Sequence, residues 1–144
     1  MKTLFVSLGL LLSVISVNAQ DSKSAAAIKF KELELDFGTV QQGDKAHLEF
    51  SFSSTGSDPL LISQAKGSCG CTVPEYPTQP LKKGEKGTIK VTFDSAGKMG
   101  KQEKTVTLIT NTPDSPIVLK VKGTIEPAPP KNIPEARPME TPKN

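Results

Sequence analysis

A regular alternation of apolar and polar residues constrains the fold of this chain more than any other feature. From Leu48 to Phe52 apolar side chains alternate with polar ones, and the same period of two recurs in four other segments. Because successive side chains of a strand point to opposite faces, each segment is predicted to be a strand with one dry and one wet face. The other segments are Leu33-Phe37, Ile89-Phe93, Val106-Leu108 and Ile117-Val121. No sustained apolar helical period occurs between them, so this region is predicted to be all-β.

The predicted strands are short and closely spaced, which limits the architectures they can build. Turn-forming residues such as Gln42-Gly43-Asp44 separate them. About seven strands in roughly 100 residues are typical of an immunoglobulin-like sandwich of two antiparallel sheets. We expect antiparallel pairing because the links are too short for parallel crossovers. Phe30 is out of phase with Leu33, so the first strand is expected to bulge or to cross between sheets near Lys31 and Glu32.

The N-terminal end differs from the central domain, which we place at residues 27–126. Lys2 precedes an almost entirely apolar or small run from Leu4 to Val17, and Val17-Asn18-Ala19 has small residues at its first and last positions. These features predict a secretory signal peptide at residues 1–19, cleaved after Ala19. The run is too short for a transmembrane anchor, which needs about 20 apolar residues. The mature protein is therefore expected to be exported and to be periplasmic or extracellular, without a transmembrane segment.

The C-terminal end is rich in proline. Residues 127–144 contain six of the 12 prolines of the chain, and Ile133 and Met139 are their only sizeable apolar side chains. Such a segment buries too little surface to offset the entropy of ordering it. We expect a disordered, extended tail that acts as a spacer.

Composition excludes several classes of function. The net charge is only +3, and with no Trp and one Tyr there is no aromatic platform beside a basic stripe, so no nucleic-acid partner is expected. His47 is the only histidine, and strand parity places it on the polar face with Glu49 and Ser51. No Gly-x-Ser-x-Gly elbow and no phosphate-binding glycine loop occurs. We therefore predict a protein that is not an enzyme.

The two cysteines of the chain form one local element, Cys69-Gly70-Cys71. They cannot join the two sheets as the distant cysteines of antibody domains do. A bond between them would close a loop of three residues and contribute about 1.6 kcal/mol at most in the chain-entropy model. In an oxidising compartment a disulfide is the default, and Gly70 is expected to give the tight turn its conformational freedom.

Four roles remain open for this cysteine pair. An inert local bridge is one, and a strained, readily reduced bridge that serves thiol-disulfide exchange or redox sensing is another. As thiolates, Cys69 and Cys71 are also a candidate metal site for Cu(I), for which only Met99 and Met139 remain as thioethers of the mature chain. The fourth possibility is pairing with cysteines of another chain. No cofactor is expected, and Cu(I) is the one alternative.

Several motifs together resemble a bacterial family called domain of unknown function 1573, over roughly residues 30–125. The resemblance implies an immunoglobulin-like sandwich akin to Hydin-type and major sperm protein domains, in exported proteins common among Bacteroidetes. It implies no assigned activity. The chain departs from the family pattern at Ser54, Lys83 and Gln102, where the family often has Asn, Pro and an aromatic residue. The motifs are Phe37-Gly38-Thr39-Val40 with Gly43, Phe50-x-Phe52, Thr55-Gly56, Pro59-Leu60, Ser68-Cys69-Gly70-Cys71-Thr72, Gly84-x-x-Gly87-x-Ile89-x-Val91-x-Phe93-Asp94, Gly100, Asn111 and Leu119-x-Val121-x-Gly123.

These observations favour an exported, non-enzymatic binding or scaffold module whose sheet faces, edges and loops contact a protein or cell-envelope partner. One alternative is a thiol-disulfide or Cu(I)-binding protein that uses the Cys-Gly-Cys loop. A third hypothesis is an accessory domain of an enzyme.

Overall fold

A computed structural model of the protein describes residues 25–130. The predicted signal peptide lies outside the described residues, and so does the proline-rich tail beyond residue 130. Residues 127–130 are exposed and belong to no strand. Within the described range no helix is long and apolar enough to cross a membrane.

Eight strands form two sheets of four strands each, and residues 25–130 contain no helix. One sheet has the order β1-β3-β6-β5 and the other β2-β8-β7-β4. This architecture confirms the predicted all-β sandwich. The strands are β1 (Ile28–Phe30), β2 (Glu34–Gln41), β3 (Lys45–Ser54), β4 (Ile62–Gly67), β5 (Thr72–Glu75), β6 (Lys86–Asp94), β7 (Gly100–Thr110) and β8 (Ile117–Glu126).

The phase change near Phe30 marks a crossing between the sheets. Before the crossing, the Lys31 amide donates to the Ser51 carbonyl of β3 at 2.9 Å. After it, the Leu33 carbonyl accepts from the Lys120 amide of β8 at 2.8 Å. The crossing divides the first predicted strand into β1 and β2, which accounts for eight strands where about seven were expected.

One pairing differs from the expected antiparallel pattern, because β2 and β8 run parallel. Leu35 lies opposite Val121, and Val40 lies opposite Ile125. The prediction was wrong here because short links constrain only strands that are consecutive in the chain. β2 and β8 are separated by most of the domain, which is ample for a parallel crossover. All other neighbouring strands pair antiparallel.

The core lies between the inward faces of the two sheets. Phe50 of β3 is 1% exposed, and the predicted alternation holds along the whole strand. The Phe37 ring stacks on the Phe93 ring of the other sheet with centroids 5.2 Å apart. Phe37 also covers Gly123, where a Cβ would overlap the ring. The core cluster comprises Ala46, Leu48, Phe50, Phe52, Leu60, Ile62, Leu81, Ile89, Val91, Phe93, Val106, Leu108, Leu119, Val121 and Ile125.

The side chain of Ser54 is buried in the sandwich, and its hydroxyl has no hydrogen-bond partner among the described residues. Substitution of Ser54 therefore tests the packing of this core. The backbone of Ser54 is held by other bonds: its amide donates to the Glu85 carbonyl and its carbonyl accepts from the Gly84 amide. We expect Ser54→Ala to raise the free energy of unfolding by about 1 kcal/mol, because burying an unpaired hydroxyl is costly. Denaturant unfolding measures the change.

The matched control removes a buried hydroxyl that has a partner. Thr110 Oγ1 lies 2.8 Å from Thr112 Oγ1, so Thr110→Val is expected to lower the free energy of unfolding by about 1 kcal/mol. Equal losses in the Ser54→Ala and Thr110→Val variants would show that the hydroxyl of Ser54 is stabilising and would contradict the account.

Candidate functional site

The Cys-Gly-Cys element lies in the link between β4 and β5. β4 is an edge strand of one sheet and β5 is an edge strand of the other. The four residues between them, Ser68 to Cys71, therefore carry the chain from sheet to sheet at one side of the sandwich. The disulfide closes a loop within this crossover and does not itself join the sheets.

Backbone hydrogen bonds hold both ends of the crossover. At its start the Ser68 amide donates to the Thr105 carbonyl of β7 at 2.8 Å, and the Thr105 amide donates to Ser68 Oγ at 3.1 Å. At its end the Asp94 amide of β6 donates to the Cys71 carbonyl at 2.8 Å. The crossover is thus attached to both sheets independently of the disulfide.

The crossover is tight because Gly67 and Thr72 approach each other closely. A Cβ on Gly67 would overlap the carbonyl oxygen of Thr72. The Thr72 amide donates to the Cys69 carbonyl at 3.1 Å, which closes the turn inside the crossover. Glycine at position 67 is therefore a steric requirement of this path.

Cys69 and Cys71 form a disulfide with their Cα atoms 5.2 Å apart. Both residues are half-buried, and Cys71 packs against the hydrophobic core. Thr72 Oγ1 lies 3.5 Å from Cys69 Sγ and 3.9 Å from Cys71 Sγ. Thr72 is only 3% exposed. Its hydroxyl next to both sulfurs was not predicted from the sequence, although Thr72 directly follows the second cysteine.

Gly70, between the cysteines, does not have a positive φ. A Cβ on Gly70 would meet no atom within 4 Å. The described geometry gives no steric reason for glycine at this position, so its supporting role in the turn remains a prediction.

The disulfide bears on the predicted Cu(I) site. Cu(I) binds thiolates, so Cys69 and Cys71 would have to be reduced before they could hold it. Met99 is half exposed in the link between β6 and β7, and Met139 lies outside the described residues. Within residues 25–130 no group of three or more His, Cys, Asp or Glu side chains has a metal-binding arrangement. A Cu(I) site at the cysteine pair remains a prediction.

His47 lies on the outward face of β3 and is exposed, as predicted. Its Nδ1 atom is 3.2 Å from Thr92 Oγ1 on β6. Val73 of β5 lies opposite Thr92 on the other side. His47 is therefore two strands away from the strand that follows the disulfide, and its side-chain partner is Thr92 rather than a cysteine.

The ion pair between Glu34 and Lys122 lies at the opposite edge of its sheet from β4. The hydrogen bond from Lys122 and its positive charge lower the pKa of the Glu34 carboxyl, and the same contacts raise the pKa of Lys122. Any stabilisation by Glu34 is thus present above its ordinary pKa and is lost as the pH falls through the lowered value. Because both side chains are exposed, the pair contributes little to stability.

Comparison with known proteins identifies a family and a fold. The sequence matches a family model described as protein of unknown function (DUF1573) over residues 28–125. A search of curated proteins finds no match. Among solved structures, the chain is similar to a protein of unknown function from Porphyromonas gingivalis, with a TM-score of 0.62 and 16% identity over 76% of this chain and 51% of that one. The chain thus spans about half the length of the Porphyromonas protein.

Two other solved structures share the fold. The chain is similar to an ASH/PapD-like domain of human CEP192, with a TM-score of 0.56 and 10% identity over 87% of this chain and 99% of that one. It is also similar to the VesB protease of Vibrio cholerae, with a TM-score of 0.52 and 13% identity over 71% of this chain and 32% of that one. At these identities the likeness concerns the fold alone.

Two glycines of the crossover region, Gly67 and Gly70, allow a test of its path, with Gly70 as the control. We expect Gly67→Ala to lower the free energy of unfolding by about 1–3 kcal/mol, because the new methyl overlaps the backbone of Thr72. Gly70→Ala introduces its methyl into open space and is expected to change stability by less than about 0.5 kcal/mol. Urea unfolding measures both, and equal effects at the two positions would contradict the described path.

Proposed function

The chain belongs to the DUF1573 family, and from that premise we propose that it is an exported, non-enzymatic immunoglobulin-like module that binds a protein partner of the cell envelope. Export to the periplasm or beyond is supported by the short apolar run behind Lys2. The occupant that we propose is an extended, acidic segment of the partner, which adds a strand beside β1.

The observation that carries the proposal is the open edge of β1. Ala27 and Lys31 bond to the β3 segment of the chain: the Ala27 carbonyl accepts from the amide of Thr55, which directly follows β3, and the Lys31 amide donates to the Ser51 carbonyl of β3, each at 2.9 Å. Main-chain groups of an antiparallel strand alternate between its two sides. The N–H and C=O groups of the intervening residues at positions 28 and 30 therefore point away from β3, where no described strand pairs with them.

The β1 edge is also firmly placed. Phe30 packs on the Phe52 ring of β3 with centroids 5.4 Å apart, and Ile28 packs against the core. A partner strand would meet main-chain groups that are already ordered, so binding would not require ordering this edge first.

Two of the other edges are poorly suited to strand addition. In β5, Pro74 has no N–H, and the Thr72 amide is used by the Cys69 carbonyl. In β4, the Tyr76 hydroxyl donates to the Ser63 carbonyl at 3.4 Å and so covers part of the edge.

The shape and the charge of the β2 edge disfavour addition of an acidic strand there. It has a bulge between Asp36 and Thr39, which interrupts regular pairing. Its exposed face carries the carboxylates of Glu34 and Asp36, which repel an acidic segment. Bulges, prolines and covering side chains are usual protections of edge strands, and β1 has none of these three. Its protections are its length of three residues and its lysines, and lysines attract an acidic strand rather than repel it.

The lysines beside the β1 edge indicate that its partner is acidic. Lys29, Ser53 and Lys86 lie in one cross-strand row, and Lys31 extends from the same edge two residues further along. All three lysines are exposed, and within residues 25–130 none of them pairs with a carboxylate. We call Lys29, Lys31 and Lys86 the lysine cluster.

The spacing of the lysine cluster matches an extended peptide. Alternate residues of a strand are about 7 Å apart and point to the same face. A partner strand with carboxylates at alternate positions would thus place them beside the lysines on the outward face. The side chains of Ser51 and Ser53 are small and leave space between the lysines.

The test measures binding of an octapeptide of alternating Glu and Val by calorimetry. Exposed ion pairs contribute about 0.2–1 kcal/mol each, so replacing all three lysines of the cluster by Gln is expected to weaken binding about tenfold. A peptide in which Lys replaces Glu is expected not to bind.

The matched control removes the same net charge from the outward face of the other sheet. The substitutions are Lys66→Gln, Lys101→Gln and Lys120→Gln. This control is expected to bind the acidic peptide with wild-type affinity. Equal weakening in both triple variants would indicate non-specific attraction and would overturn the assignment to β1.

The same variants identify the native partner in envelope extracts. A stoichiometric partner that is retained by the wild type and the control, and lost by the variant of the lysine cluster, supports the proposal. A stoichiometric enzyme that binds all three proteins equally would instead support an accessory domain of that enzyme and would contradict docking at β1.

A further inference from the structure

The Cys69–Cys71 disulfide is not needed to maintain the fold. It closes a loop of three residues, for which the chain-entropy model gives about 1.6 kcal/mol at most. The crossover is attached to β7 through Ser68 and to β6 through Cys71 by backbone hydrogen bonds that do not involve the sulfurs. We therefore expect the strand pairing to persist when the sulfur–sulfur bond is broken.

The Thr72 hydroxyl is placed to interact with the product of that cleavage. It is buried, and the sulfurs of Cys69 and Cys71 are its only side-chain partners among the described residues. A disulfide sulfur is a weak acceptor, whereas a thiolate accepts a hydrogen bond strongly. The hydroxyl thus contributes little to the oxidised form and stabilises the thiolate that reduction releases.

We propose that the Cys69–Cys71 disulfide is a reversible thiol-disulfide exchange site for a dithiol reductant, with Thr72 as the hydrogen-bond donor to the released thiolate. This inference is independent of the proposed partner site at β1.

The exchange proceeds in two balanced steps. A thiolate of the dithiol attacks one protein sulfur, a mixed disulfide forms, and the other protein sulfur leaves as a thiolate that accepts from the Thr72 hydroxyl. The second thiolate of the reductant then displaces the first protein sulfur and closes the cyclic, oxidised reductant. Two electrons pass to the protein. Of the two protons given up by the dithiol, one binds the first protein sulfur and the other is released to solvent, so the second protein sulfur remains a thiolate that accepts from Thr72.

The test compares Thr72→Val with Thr72→Ser. Each protein is equilibrated with reduced and oxidised dithiothreitol, the free thiols are alkylated, and the reduced fraction is counted by mass spectrometry. Loss of the hydroxyl in Thr72→Val is expected to lower the equilibrium constant for reduction about fivefold. Thr72→Ser retains the hydroxyl and is expected to lie within about twofold of the wild type.

Thr110→Val controls for the loss of a buried hydroxyl remote from the sulfurs and is expected to leave the equilibrium unchanged. Amide exchange of Asp94, whose N–H binds the Cys71 carbonyl, reports whether the reduced protein keeps the crossover, and we expect its protection to persist. A wild-type disulfide that stays oxidised in excess dithiothreitol would overturn the exchange site. Equal equilibrium constants for Thr72→Val and the wild type would overturn the assignment of Thr72.

Discussion

The two sheets hold together through the side chains that alternate inward along β3, β6, β7 and β8. Twelve of the fifteen buried residues of the core cluster lie on these four strands, and each large one contributes about 1.5–3 kcal/mol when it is fully buried. The disulfide contributes no more than about one such side chain. Because the core determines the fold, the outward faces, the free edges and the crossover can serve other purposes without loss of stability.

The two proposed sites lie at opposite edges of one sheet. The β1 edge and the lysine cluster are at one side of the order β1-β3-β6-β5, and the crossover with its disulfide precedes β5 at the other. The two edges also differ in how open they are to pairing with another strand. Pro74 protects β5 against pairing, whereas β1 leaves its main-chain groups open. Binding at one edge and thiol chemistry at the other can therefore be tested with separate sets of variants.

The sequence pattern predicts those parts of the structure that depend on local order. Alternation identifies β2, β3, β6, β7 and β8 and their inward faces, but not the short strands β1, β4 and β5. The phase change at Phe30 predicts either a bulge or a crossing between sheets, and the structure shows the crossing. The parallel pairing of β2 with β8 could not be predicted, because local spacing says nothing about strands far apart in the chain. The same limit applies to Lys29 and Lys86, which become neighbours across Ser53 only when the register is known. At the crossover, the contact of Thr72 with both sulfurs depends on how tightly the chain turns after Gly67.

Amide hydrogen exchange at Ile28 and Phe30 tests the central claim most directly, because strand addition at β1 must engage their N–H groups. The account predicts that the acidic octapeptide slows exchange at these two amides and leaves the amides of the β2 and β5 edges unchanged. Unaltered exchange at Ile28 and Phe30 in a saturated complex, with protection elsewhere on the domain, would contradict it.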